Sequence, residues 1–152
     1  MPALVLELRQ GDVMILNGAS LRFHNKTRIE LTARARFLFG KQVMRPEQAD
    51  SPAKRIYFAV QTAYIGTEAE RAAALAQART LIEAFKAATT SSLAREILDR
   101  VLALAEADEC YEGLKLIRRI MQHEAAVARL ASDQAAPSST DAVASEPGRQ
   151  HR

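Results

Sequence analysis

A chain of 152 residues, 48% of them apolar, can bury one core but not two large domains. Aromatics make up only 5%, with no Trp, which argues for helices packed through small side chains over a large aromatic-lined pocket; the single cysteine, Cys110, excludes an internal disulfide. The net charge of +3 is unevenly spread: residues 1–60 hold ten Lys/Arg against five Asp/Glu, while residues 61–133 hold nine against eleven.

Leu4 to Leu8 reads as a first strand closed by Gln10-Gly11-Asp12, and Val13 to Leu16 as a second. Asn17-Gly18 is a strong hairpin signal, because both central positions of a type I′ turn need positive φ. Ala19 to Phe23 and Thr27 to Leu31 alternate apolar and polar residues around a turn at His24-Asn25-Lys26. Arg34 to Phe39 gives a fifth strand, with Arg36 and Leu38 opposing Phe37 and Phe39.

At Ser51-Pro52 the period changes from two to that of a helix. Ser51 is placed to accept from an early amide and Pro52 to occupy the first helical position. This helix runs to about Ile65 and stops at Gly66. Thr67 and Glu70 fit a capping box for a second helix, striped by Arg71, Leu75, Ala78, Ile82 and Phe85. A third is expected from about Leu93 to Ala107 and a fourth from about Glu109 to Leu130, both with wide apolar faces that suit a bundle or a helical dimer. The composition after Ala131 lacks any apolar period, so residues 131–152 are expected to be a disordered tail.

Strands followed by helices make an α+β chain. Residues 1–45 form a basic, β-rich part, a small antiparallel sheet or half-barrel; residues 46–130 form a bundle of about four helices. No apolar run approaches the roughly 20 residues of a membrane span, and Met1 to Gln10 resembles no secretory leader, so a soluble protein in a reducing cytoplasm is the expectation.

Signals for catalysis are weak. His24, His123 and His151 stand apart without Cys or His at ligand spacing, and no glycine-rich phosphate loop occurs. Neither an enzyme nor a metal or cofactor is expected. Polyanion binding is better supported. Arg22, Lys26, Arg28, Arg34, Arg36, Lys41 and Arg45 fall on or between the strands, interleaved with Phe23, Phe37 and Phe39, and Lys54-Arg55 extend the series to the joint. An ordinary solvated basic face gives the same count, and Phe37 and Phe39, which share a face, are either core or stacking platforms.

Three blocks resemble a known family: Ile15-Leu16-Asn17-Gly18-Ala19; Met44 to Ala49 leading into Ser51-Pro52-Ala53-Lys54-Arg55-Ile56-Tyr57-Phe58-Ala59-Val60-Gln61; and Tyr111-Glu112-Gly113-Leu114-Lys115 with Ile120 and Glu124. They are similar to the FlbT flagellum biosynthesis repressors of alphaproteobacteria. Gly113 departs from the family's usual alanine. The resemblance implies a post-transcriptional repressor that associates with the 5′ untranslated region of flagellin mRNA and promotes its decay. It also implies a second flagellar regulator, FlaF, as partner, and no catalytic residues. The order Gly11-Asp12-Val13-Met14-Ile15 further resembles the opening of carbon storage regulators, strand-rich dimers that bind mRNA leaders. The sequence thus leads to an RNA-binding homo-oligomer, with an interaction module for flagellar assembly as the rival.

Overall fold

The computed structural model describes residues 4–33 and 35–135. Five strands precede four helices: β1 Leu4–Leu8, β2 Val13–Leu16, β3 Ala19–Arg22, β4 Thr27–Leu31, β5 Phe37–Phe39, α1 Pro52–Ile65, α2 Glu68–Ala88, α3 Ser92–Glu106 and α4 Cys110–Ala135. The α+β order is as the sequence predicts.

The strands form two antiparallel layers. β1 pairs with β4, Leu4 opposite Leu31 and Leu8 opposite Thr27. The second sheet has the order β3-β2-β5. Between the layers Leu6, Leu8 and Met14 are buried, and Leu16, Phe23, Ile29, Leu31, Phe37 and Phe39 pack around them. The two phenylalanines of β5 stack at 6.5 Å and pack half-buried against this core, while Phe39 also borders the groove between the sheets and the helices. Asn17 (φ 50°) and Gly18 (φ 87°) make the tight turn between β2 and β3. Asn17 also fixes the approach to β5: its Oδ1 accepts from the Arg36 N–H at 3.0 Å and its own N–H donates to the Arg36 carbonyl at 2.7 Å. These bonds replace strand pairing there, so β5 is three residues long and not six.

Helix α1 is the centre of the larger core. Ala53, Ile56, Tyr57, Ala59, Val60, Ala63 and Ile65 are buried on it, together with Gln61. Ala74, Ala78 and Ile82 of α2 and Leu114, Ile117 and Ile120 of α4 pack on it, and Leu98, Val101 and Ala105 of α3 extend the same core against α2 and α4, spaced by three or four as one helical face requires. The α1 start is capped from two sides. Ser51 Oγ accepts from the Lys54 N–H (3.2 Å) and donates to Glu124 Oε1 (2.6 Å), while Glu124 Oε2 accepts from the Ala53 N–H (3.0 Å). The Thr67/Glu70 capping box forms as well, and its bonds hold the Glu70 carboxyl below its ordinary range. Helix α4 continues five residues past Leu130, so residues 131–135, expected as the start of a disordered tail, are helical; the rest of that tail, from residue 136, lies outside the described residues.

Polar side chains join the two parts. Buried Gln61 accepts from the Met44 N–H and donates to the Met44 carbonyl, both at 2.8 Å, doing for this residue what a neighbouring strand would. Tyr57 donates to the Gln42 carbonyl at 2.6 Å. Arg36 donates to both carboxylate oxygens of Asp108 (2.8 and 2.7 Å) and to the Tyr64 carbonyl (3.3 Å), with its guanidinium 5.8 Å from the Tyr64 ring centre. That carboxylate raises the Arg36 pKa, against a smaller opposing effect of burial.

Candidate nucleic-acid interface

A groove of about 1270 Å³ runs along the joint between the sheets and the helices. Its cations are Arg9, Lys41, Arg45, Lys54, Lys115 and Arg118, against the carboxylates Glu7, Asp12, Glu47 and Asp50. Several of these charges satisfy one another. Arg45 pairs with Glu47 at 3.3 Å and Lys54 with Asp50 at 3.2 Å, while Asp12 accepts from the main-chain N–H of Arg9 at 2.8 Å and leaves the Arg9 guanidinium unpaired among the described residues. Lys115 lies 3.2 Å from Glu112 and 5.3 Å above the Tyr111 ring. Arg118 sits 5.2 Å over Tyr57 and donates to its hydroxyl at 3.0 Å. Burial nonetheless keeps the Tyr57 phenol above its ordinary pKa, so it remains a neutral acceptor for that guanidinium. Arg9, Lys41 and Arg118 have no carboxylate at pairing distance among the described residues, and they form the groove's available positive charge.

The cations singled out in the sequence are divided by the fold. Lys41, Arg45 and Lys54 line the groove. Arg36 is consumed by Asp108 and the Tyr64 carbonyl. Arg22, Lys26 and Arg28 are exposed on the strand part, outside the groove. Arg28 stands opposite Glu7 with Glu30 on the same face, so that strand surface carries two carboxylates to one guanidinium. Arg55 borders a different cavity, between α1 and α2. Arg34 lies outside the described residues.

Sequence reasoning missed Arg9, Lys115 and Arg118. The last two follow Tyr111 at steps of four and three, one face of α4, and that polar stripe beside the apolar one was the available signal. No other chemistry gathers. Among the described residues no three His, Cys, Asp or Glu are placed to hold a metal ion. His24 and His123 are exposed and apart. Cys110 is buried, and that burial pushes its thiol pKa up, away from the reactive thiolate. No helix of the described residues is long and apolar enough to cross a membrane.

Comparison with known proteins gives one answer. Residues 4–128 match the family described as Flagellar protein FlbT. The "probable flagellum biosynthesis repressor protein FlbT" of Brucella anthropi is 32% identical over 131 residues, covering 86% of each chain. Proteins of the same name from Mesorhizobium japonicum and Brucella ovis are each 32% identical, over 120 and 123 residues, covering 77% and 81% of this chain and 79% and 80% of theirs. No solved structure matches. With both sheets, the first three helices, most of α4 and the groove inside the matched stretch, the chain belongs to the FlbT family.

Proposed function

We propose that this chain is a post-transcriptional repressor of flagellum biosynthesis that acts in the cytoplasm. In this reading it holds the 5′ untranslated region of flagellin mRNA and promotes its degradation, with no catalytic step of its own. The repressor role rests on the names of its relatives. The RNA contact rests on one observation: the joint groove, where the charges of Arg9, Lys41 and Arg118 have no carboxylate partner among the described residues and can neutralise phosphates. FlaF, the partner implied by the family, would act alongside it.

The test is binding of purified protein to a labelled flagellin leader across salt concentration. Three phosphate contacts to a single strand give a log–log slope of about −2, each contributing about −0.7. Replacing Arg9 and Lys41 with Ala should flatten that slope, whereas replacing Arg22, Lys26 and Arg28 should leave it in place. The reverse pattern would move the contact to the strands.

A rival reading, an adaptor for another flagellar protein without RNA contact, is favoured by the ion pairs that already engage Arg36, Arg45 and Lys54. It predicts that the leader is retained only after the partner protein is added.

A further inference from the structure

A second cavity, of about 560 Å³, opens on the opposite side of α1. Its walls are Pro52 and Arg55 of α1 and Leu81, Ala84, Phe85 and Ala88 of α2, with Thr89 and Glu124 at its edge, so the lining is mostly apolar. Helix α4 meets this cavity at Glu124 alone and then leaves the bundle. Between Gln122 and Asp133 only Glu124 and Ala126 are even half-buried, and Val127 and Leu130 are 50% and 62% exposed. Val127, Leu130 and Ala131 stand at i, i+3 and i+4, the spacing with which a helix anchors itself in an apolar groove.

The chain thus carries both halves of one contact, an empty apolar trough and an apolar helix end. They do not meet within one molecule. Helix α4 is continuous through Ala135, and a continuous helix that has passed the rim does not double back. The sequence beyond Ala135 offers Val143 as its one large aliphatic side chain, a poor filling for this trough. Charge fits the same arrangement. Arg55 at the rim and Asp133 on the helix end have no opposite charge within pairing distance among the described residues.

We propose that two copies of this chain form a two-fold dimer in which the α4 end of each, through Val127, Leu130 and Ala131, lies in the Leu81–Ala88 trough of the other, with Asp133 facing the partner copy's rim arginine. The contact is isologous, so it closes at two and leaves the joint groove of each copy open.

Sedimentation of the full-length protein over the micromolar range tests it. The wild type should run as a monomer–dimer equilibrium. Val127→Asp with Leu130→Asp should raise the dissociation constant by at least about tenfold, because each carboxylate would have to be buried in an apolar trough. Ala84→Glu, at an exposed position on the other half of the contact, should do the same. Circular dichroism should show unchanged helix content for both variants. Arg55→Asp and Asp133→Arg should each weaken the dimer, and the double swap should restore it.

A wild type that stays monomeric would overturn the proposal, leaving the trough to the chain's own C-terminal residues or to a different protein. A dimer lost with Leu130→Asp but indifferent to Ala84→Glu would also overturn it, since the helix ends would then be pairing with each other. Failure of the charge swap to restore association would remove the Arg55–Asp133 contact and with it the stated geometry.

Discussion

The strand part and the helical part are built on different economies of packing. Among the described residues only Leu6, Leu8 and Met14 are buried between the sheets, whereas the helical core, with Leu38 of β5, holds eighteen. The helices therefore hold together by apolar burial. Besides Leu38, the strand part leans on them through directed bonds at the approach to β5 and in the segment after it: Arg36 to Asp108, Gln61 to Met44 and Tyr57 to Gln42. Positioning by hydrogen bonds suits a groove whose walls come from both parts, because such bonds fix direction as well as distance.

Removing a side chain from each core sharpens the contrast most. Leu98→Ala, at a fully buried site on α3, should destabilise the whole chain by about 2–5 kcal/mol, read as an earlier denaturant midpoint for every probe. Leu8→Ala, equally buried between the sheets, should loosen strand amide protection while leaving the helical circular dichroism transition nearly in place. If Leu8→Ala melts the helices in the same step, the two parts are one cooperative unit and the contrast fails.

The directed bonds give the next effect. Gln61→Leu keeps an apolar surface on α1 but strands the Met44 N–H and carbonyl, at about 1–3 kcal/mol for each buried group left unpaired. Faster hydrogen exchange at Met44 and its neighbours, ahead of global unfolding, is the expected readout. Unchanged exchange there would mean that the connection is held by packing instead.

The smallest effect is a gain. A methyl group added at Gly113 would meet the Val101 carbonyl at 3.5 Å and the Val101 and Leu104 side chains at 3.8 and 3.9 Å, ordinary contacts. Gly113→Ala should therefore stabilise α4 by up to about 1 kcal/mol, seen as a modest rise in melting temperature. A loss would show that α3 and α4 need a closer approach than the static contacts suggest.

Features that depend on neighbours in sequence were legible there. Asn17-Gly18, Ser51-Pro52 and Thr67 with Glu70 each announce a turn or cap because the groups that satisfy one another lie within a few residues. The interface was legible only in fragments. Arg36 reads as a free cation until the fold brings up Asp108, 72 residues away. Arg9, Lys41 and Arg118 become one group only when β1, the connecting segment and α4 converge on the groove. Periodicity places a residue on a face of its own element; which foreign element faces it is a tertiary outcome. The fourth helix ran past its expected end for a related reason: a polar, alanine-rich composition can remain helical without a buried face.

The Gln61 amide has a consequence for how such chains can diverge. By presenting a donor and an acceptor to Met44, one glutamine turns part of a helix surface into a docking slot for extended backbone. Segments entering or leaving that slot can change in length and composition while this one residue stays seated. The hairpins upstream can then be reshaped without recutting the bundle that carries them.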